Sequence, residues 1–317
     1  MATIVEVARL AGVSTATVSR VLNNTTVRPD LEIAVRRAIA ELDYTPNRTA
    51  RSLRRQNSEV IALILPDIEN PFFNVLARGV EDVAQEAGYS VVLCNSDDQP
   101  EKEKRYLQIA VSEDMAGVII APASKNTNLA PLLAKNRALV VLDRPVDFPV
   151  DHVVFDNEQI GKKTTKMLLD RGFSRIACVT GPTRTITAVE RANGWRAALV
   201  DAGIKVDESL LRFATFKVEG GRRAMRELLK LESPPEAVLA TNNLVGVGVL
   251  RALAEAGLSS DEVKVGIVGE LPFATTETDN LSLLPQRPRK MGILSARMLL
   301  ERIGGLTTEP RQVVQSS

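Results

Sequence analysis

Thr3-Ile4-Val5-Glu6-Val7-Ala8-Arg9-Leu10-Ala11-Gly12-Val13-Ser14-Thr15-Ala16-Thr17-Val18-Ser19-Arg20-Val21-Leu22-Asn23 is the stretch that decides most about this chain. Thr3 is a good helix N-cap, and Glu6 three residues on completes a capping box. Ile4, Val7, Ala8 and Ala11 fall on one face at helical spacing. Gly12 takes the positive φ that ends a helix and turns the chain. Ser14 caps a second helix, along which Val18, Val21 and Leu22 continue the apolar face. Thr15, Ala16, Ser19 and Arg20 are left pointing outward. Two short helices joined by a tight turn, with small polar residues on the outer face of the second, fit the major groove of DNA. There threonine and serine hydroxyls bond bases or phosphates, alanine meets a thymine methyl, and arginine takes a guanine edge in bidentate fashion. The competing reading is a helical hairpin packed in a core. Both caps, the turn and the outer face agree against it.

Just beyond lies Pro46-Asn47-Arg48-Thr49-Ala50-Arg51-Ser52-Leu53-Arg54-Arg55-Gln56-Asn57, basic throughout, with Leu53 its only large apolar residue. A solvated tether is the plain reading of such a charge run. The chain as a whole carries a formal net charge of only +1, so phosphate-binding charge is concentrated at this end and offset elsewhere.

At 317 residues with 44% hydrophobic content, two or three globular domains are expected. The two cysteines, Cys94 and Cys178, each sit in an apolar run and read as buried strand thiols of a reduced compartment. No metal-ligand spacing occurs, and no metal or cofactor is expected. His152, the one histidine, opens a strand-like run and reads as a surface or structural residue. Met1 leads straight into the first helix with no apolar signal segment, and no run reaches membrane-spanning length. The expected location is the cytoplasm, associated with the nucleoid, with no membrane contact.

From residue 59 short apolar strands alternate with amphipathic helices. Strands are expected over 60–65, 90–94, 117–121 and 139–142, with helices over 73–87 and 100–113. The pattern restarts near Arg175, with strands over 176–180, 237–240 and 263–268 and helices over 188–202, 220–231 and 244–256. The β-branched runs fit parallel sheets buried on both faces. Two successive series imply two doubly wound α/β halves with a cleft between them. Phosphate loops and nucleophile elbows are missing, which disfavours a sugar-modifying enzyme.

What stands out lies at strand ends, where open α/β sheets bind ligands. Asn70, Phe72 and Phe73 follow the first strand, and Asp143-Arg144 the fourth. Thr187 and Arg191 open a helix after Gly181-Pro182. Phe216 precedes a Gly pair, Asn242-Asn243 follows another strand, and Gln286 lies in the late crossover. Each has a plain reading: core for the phenylalanines, a surface ion pair for Asp143-Arg144, an N-cap for Asn243. Together they form a polar set with aromatic plates, the chemistry that holds a sugar ring.

The run from Ala11 to Asn23 resembles the N-terminus of the LacI/GalR family of bacterial transcription repressors, and the resemblance extends over nearly the whole chain. It implies an all-α helix-turn-helix headpiece (1–45), a hinge (46–58) and a periplasmic-binding-protein-like core (59–317). Within the core, an N-subdomain of about 59–158 plus 287–317 would face a C-subdomain of about 159–286. Thr15, Ala16 and Arg20 become the base-reading positions. A third headpiece helix is implied over Asp30–Leu42, with Ile33, Ala34, Arg37, Ala38 and Leu42 as its stripe. Leu53 becomes a minor-groove wedge that kinks the duplex, flanked by Arg48, Arg51 and Arg54. The candidate DNA set is therefore Thr3, Ser14, Thr15, Ala16, Thr17, Ser19, Arg20, Asn23, Arg48, Arg51, Ser52, Leu53 and Arg54. The candidate effector set is Asn70, Phe72, Phe73, Asp143, Arg144, Thr187, Arg191, Phe216, Asn243, Glu270 and Gln286.

A homodimer on a pseudo-palindromic operator, released by a monosaccharide with a pentose favoured, is the implied behaviour. Co-repression, a decayed pocket and a transport or sensory sugar-binding protein stay open beside it. Three departures from the family pattern bear on the pocket and the sheet. Asn242-Asn243 stands where Asn-Asp is usual. The loop Gly269-Glu270-Leu271-Pro272-Phe273 is two residues short, so that either Glu270 substitutes as the ligand group or the contact is lost. The chain ends at Ser317, before the family's C-terminal strand and Leu-x-x-Arg-like tail, which implies a stability cost at the sheet edge.

Overall fold

Capping and turn chemistry, strand burial and sheet order can be followed in a computed structural model that describes residues 2–22, 25–44, 58–259, 262–271 and 281–316. The chain divides into two units, Met1–Ser58 and Glu59–Ser317.

The first unit holds α1 (Ile4–Leu10), α2 (Thr15–Leu22) and α3 (Pro29–Glu41). Glu6 N–H donates to Thr3 Oγ1 at 3.3 Å, and Thr3 N–H to Glu6 Oε2 at 2.7 Å, the reciprocal bonds of the capping box. Gly12 stops α1 at φ 66°. Thr17 N–H donates to Ser14 Oγ at 3.2 Å, which caps α2. Val7, Ala8, Val18, Val21, Val35 and Ala38 form the core of this unit.

The third helix corrects one expectation. Its buried residues are Val35 and Ala38, whereas Ile33 is 69% exposed and Arg37 is exposed. The expected stripe would have placed Arg37 against the core. Burying its guanidinium unpaired costs more than exposing Ile33, so the helix turns Val35 inward.

The second unit contains two parallel sheets, ordered β11-β5-β4-β3-β1-β2 and β10-β9-β8-β6-β7. The first comprises β1 (Val60–Leu65), β2 (Ser90–Asn95), β3 (Gly117–Ile120), β4 (Ala138–Leu142), β5 (Asp151–Phe155) and β11 (Gln312–Gln315). Its helices are α4 (Pro71–Glu86), α5 (Pro100–Ser112), α6 (Ala130–Ala134) and α11 (Pro288–Ile303). Alternate residues of β1 serve the two faces. Ile61, Leu63 and Leu65 cluster with Leu76, Val80, Met291 and Leu299 of α4 and α11. Ala62 and Ile64 cluster with Leu107, Ala110 and Leu132 of α5 and α6. With both faces covered, the strand reads as a continuous apolar run.

The second sheet comprises β6 (Ile176–Thr180), β7 (Leu211–Phe213), β8 (Ala237–Ala240), β9 (Lys264–Val268) and β10 (Ser282–Leu284). Around it lie α7 (Asn157–Leu169), α8 (Ile186–Asp201), α9 (Val218–Leu228) and α10 (Asn243–Glu255). Trp195 is fully buried in α8 and donates Nε1–H to Ile176 O at 3.0 Å. Among the described residues the chain passes between the halves twice, from β5 to α7 and from β10 to α11.

The last described strand, β11, pairs in parallel with β5, Gln312 opposite His152 through Gln315 opposite Phe155. It is held by Asp151, whose side chain is 0% exposed and ion-paired to Arg302 at 2.7 Å and Arg311 at 3.1 Å. The Asp151 carboxylate also accepts the Arg311 backbone N–H at 2.8 Å. An ionised acid is tolerated there because its oxygens are satisfied by charged donors. His152, next to it, is buried, and its Nε2 accepts the Val146 N–H at 3.4 Å. Cys94 and Cys178 are free, buried thiols in β2 and β6. No described helix is long and apolar enough to cross a membrane.

Candidate functional site

The strands of both sheets end at a cavity of about 590 Å³ between the two halves. Its wall includes Asn70, Phe72, Phe73, Asp143, Arg144, Thr187, Arg191, Phe216, Asn243, Glu270 and Gln286, so one cavity gathers all eleven residues singled out in the sequence. The first half supplies the loops after β1, β2 and β4. The other supplies α8, α10 and the segment before α9, and Gln286 lies on the second crossover.

Asn70 caps α4, its Oδ1 accepting the Phe72 N–H at 3.0 Å, and this fixes the start of the Phe72-Phe73 pair. The two rings meet edge to face with centroids 5.1 Å apart. Phe73 is buried and Phe72 half-buried, so Phe73 anchors in the core while Phe72 offers its ring to the cavity.

Asp143 sits at φ 62° in a three-residue turn closed by the Arg144 N–H to Leu142 O bond at 2.6 Å. A non-glycine residue in this region is strained, and such strain collects at functional sites. The turn swings the Asp143 carboxylate and the Arg144 guanidinium off the end of β4 into the cavity wall. Burial pushes the Asp143 carboxyl up from its ordinary range, against the pull of Arg144 and Arg191. Arg144 is ion-paired to Asp98 and donates to Pro122 O at 3.2 Å, and its Nε lies 3.7 Å from Asp143 Oδ2.

Arg191 approaches from the other half and is 5% exposed. Its Nε donates to Asn157 Oδ1 at 3.0 Å and its Nη1 to Thr241 O at 2.6 Å. Burial pushes its pKa down while Asp143 across the cavity pulls it up. Behind it, Thr241 Oγ1 and Thr180 Oγ1 share a hydrogen bond at 2.9 Å, and Thr180 Oγ1 donates to Ala188 O at 3.0 Å. This chain ties the start of α8 to the ends of β6 and β8. The α7–α8 contact is equally tight: a Cβ on Gly161 would lie 2.1 Å from the Arg191 carbonyl oxygen. Arg191 is thus held by backbone and side chain before any ligand arrives.

Asn243 corrects a plain reading. Asn242 is the N-cap of α10, its Oδ1 accepting the Val245 N–H at 2.7 Å, while Asn243 is the first helical residue and lines the cavity. Thr187 is buried in the first turn of α8, and Glu270 lies exposed on the rim. Pro272 and Phe273, the rest of that loop, lie outside the described residues. Sequence reasoning missed Asp98, Asn157, Lys217 and Gly181. Asp98 and Asn157 follow strand ends and obey the same positional rule; Lys217 carries no local signal. Lys217 Nζ lies 2.9 Å from both Asp67 Oδ2 and Glu69 Oε2, bridging the halves at the rim.

Gly181 fixes the second aromatic plate. A Cβ there would lie 2.3 Å from Cε2 and Cζ of Phe216. Gly181→Ala is therefore expected to displace the Phe216 ring and weaken ligand binding roughly tenfold, about 1.4 kcal/mol. Calorimetric titration checks this; unchanged affinity would show that Phe216 does not contact the ligand.

In the first unit, Thr15, Thr17 and Ser19 are half-exposed, and Thr3, Ser14, Ala16 and Arg20 are exposed. Arg20 forms no ion pair among the described residues. Asn23, Arg48, Arg51, Ser52, Leu53 and Arg54 lie outside the described residues. A helix-turn-helix whose second helix offers hydroxyls and an exposed arginine, joined in one chain to a two-lobed α/β unit with a cavity at its strand ends, is the arrangement of a DNA-binding regulator. The comparisons fix the family. Residues 3–47 match the bacterial regulatory proteins of the lacI family, and residues 58–316 match the periplasmic binding proteins and sugar-binding domain of the LacI family. The chain belongs to the LacI family of bacterial regulators.

The ribose operon repressor of Escherichia coli (strain K12) is 33% identical, over 99% of this chain and 96% of that protein. The HTH-type transcriptional repressor PurR of Vibrio atlanticus (strain LGP32) is 31% identical, over 98% of this chain and 95% of that protein. Among solved structures, the lac repressor dimer bound to operator and the anti-inducer ONPF superposes with a TM-score of 0.87 at 25% identity, covering 99% and 96% of the two chains. A complex of the transcriptional regulator CelR with cellobiose gives 0.74 at 32% identity, covering 99% and 97%. These relatives are transcription regulators, not enzymes.

Proposed function

We propose that this protein is a homodimeric repressor that binds a pseudo-palindromic operator and releases it when a monosaccharide, with a pentose favoured, enters the cavity between its lobes. One observation carries the ligand half of this reading: eleven residues scattered from Asn70 to Gln286 line a single cavity. There a carboxylate and a guanidinium from opposite lobes can each bond the same hydroxyl-bearing ring, with Phe72 and Phe216 as apolar plates. The presence of that cavity, with Asn243 on its wall and Glu270 at its rim, argues against a decayed pocket. The ribose operon repressor among the relatives favours a pentose.

The homodimer is supported by apolar side chains exposed at the β2 edge of the first sheet: Val92 and Leu93 on β2, Val75 on α4 and Ile109 on α5. Phe213 on β7 and Val200 on α8 are exposed at the corresponding edge of the second. Covering such residues favours self-association. A two-fold dimer presents two copies of α2 to a two-fold operator. The candidate DNA contacts act in this frame: Thr15, Ala16 and Arg20 at base edges, and Thr3, Ser14, Thr17, Ser19 and Asn23 at the backbone. Arg48, Arg51, Ser52 and Arg54 track the hinge along the minor groove around Leu53. The cytoplasm, where its operator is, is the site of action.

Ligand drawn between Asp143 and Arg191 favours one lobe orientation, and residues 46–58 pass that change to the operator. By linkage, operator must weaken sugar binding by the same factor that sugar weakens operator binding. The test is operator affinity at fixed salt with and without a panel of pentoses, hexoses and purine bases. Loss of affinity on adding a pentose supports release; tightening would make the ligand a co-repressor, and no response to any of them would overturn the reading.

Leu53→Ala is expected to weaken specific operator binding by roughly 1–3 kcal/mol, about 5- to 150-fold, with little effect on random DNA. Equal losses on operator and random DNA, measured by fluorescence anisotropy, would rule out a wedge.

A further inference from the structure

The charges on the cavity wall do not cancel. Asp98 and Asp143 are met by Arg144, with Arg191 opposite Asp143. Asp67 is paired with Lys217, Asp97 with Lys102, and Arg289 with Asp82. Arg184, Arg287 and Lys290 remain, exposed on the same wall and without an acidic partner among the described residues. Against these three cations stands, among the described residues, one unpaired acid, Glu270. A neutral sugar would leave that surplus uncompensated.

Two further features point the same way. Gln286, on the wall beside Arg287, is 8% exposed, and its buried Nε2 has no hydrogen-bond partner among the described residues. The N-terminus of α11 opens there too. Its N-cap, Arg287, makes no capping bond with its side chain, and its first residue is Pro288, so the first N–H groups beyond the proline lack intrahelical acceptors and favour an anion. Finally, about 590 Å³ is within the range of cavities that hold drug-sized ligands.

We propose that the ligand is a phosphorylated pentose, its ring between Asp143, Arg191 and the aromatic plates, and its phosphate neutralised by the unpaired set of Arg184, Arg287 and Lys290. A phosphate monoester carries about −1.5 to −2 charges at neutral pH, which matches the surplus. Arginine and lysine bind it through charge-assisted hydrogen bonds. The inference rests on the monosaccharide reading of the same cavity and specifies its chemistry.

Calorimetry on the full chain at fixed ionic strength would compare ribose, ribose 5-phosphate and inorganic phosphate. Ribose 5-phosphate is expected to bind at least about tenfold more tightly than ribose, ~1.4 kcal/mol, with an advantage that shrinks as salt is raised. In a variant carrying Arg184→Ala, Arg287→Ala and Lys290→Ala, the ratio of the two affinities should fall toward one. All three positions are exposed, so the fold is retained, and a melting curve checks it. Equal affinities for ribose and its phosphate in the unmodified chain would overturn the phosphate inference and leave the monosaccharide reading intact. Absence of heat from either sugar would overturn both. Inorganic phosphate binding as tightly as the sugar phosphate, or a triple variant that keeps the full ratio, would also overturn the assignment.

Discussion

Asp151→Asn is expected to destabilise the second unit by roughly 3–5 kcal/mol, the usual cost of removing one partner from a buried ion pair. The carboxylate is 0% exposed and meets two guanidinium groups and a backbone N–H. An amide would keep one acceptor, place an N–H donor against arginine donors, and strip Arg302 of its carboxylate while Arg311 keeps only Glu301. For a unit of this size the melting midpoint should fall by roughly 6–12 °C. The pH dependence has a definite sign. Burial pushes the Asp151 carboxyl up, but the bonds from Arg302 and from the Arg311 backbone and side chain outweigh it, and its pKa lies below the ordinary 3.8. A depressed folded pKa means the stabilisation is complete above the unfolded value and is lost as pH falls through the folded one. The variant and the parent chain should therefore converge in stability in strong acid and differ fully at neutral pH. A midpoint difference of under 2 °C at neutral pH, about 1 kcal/mol or less, would mean that β11 is held by its strand pairing alone.

How much of this could be read from residues alone depended on where polar groups sit. The helix-turn-helix was legible because its signals are local: the Thr3–Glu6 box, Gly12 at positive φ and the Ser14 cap each act over three or four residues. The strands were legible because two-sided burial leaves uninterrupted apolar runs. Helix α7 escaped, since Asn157 to Leu169 is rich in lysine, threonine and glutamine. It is buried all the same because Thr164 and Thr165 return their hydroxyls to the carbonyls of Ile160 and Gly161, each at 2.8 Å, and Gly161 lets α8 approach. Strand β11 escaped as well. It is four residues long, and Val314 on it is 53% exposed, so its position is set by the distant Asp151 cluster rather than by its own pattern. In the cavity, the strand-end rule found eleven of the residues that line the space, though not Asp98 or Lys217. It could not find Thr180, Thr241 or Gly181, which act by fixing Arg191 and Phe216 from behind.

That buttressing bears on the ligand prediction with the largest expected effect. Arg191→Met should weaken monosaccharide binding by roughly 2–4 kcal/mol, about 30- to 1000-fold. The guanidinium reaches the cavity already held by Asn157 and by Thr241 O, so a ligand meets donors whose ordering cost has been met in folding. Its charge is opposed through space by Asp143 on the other lobe and, more weakly, by the neighbouring Glu190. A hydroxyl lying between the two would donate to the carboxylate and accept from the guanidinium, each charge strengthening the other's bond. Arg191→Lys should recover only part of the loss, because one ammonium cannot hold Asn157 and Thr241 O while also presenting a planar fork to the ligand. The ligand-free protein should lose less stability than with Asp151→Asn. Burying the guanidinium is itself unfavourable, and removing it relieves that cost even as two hydrogen bonds are lost. The pair of measurements separates a binding role from a structural one. A large loss of affinity with a melting midpoint close to that of the parent places Arg191 on the ligand. A midpoint that falls as far as with Asp151→Asn, with affinity retained, would make it a strut between α7, α8 and β8 and would move the sugar elsewhere on the wall.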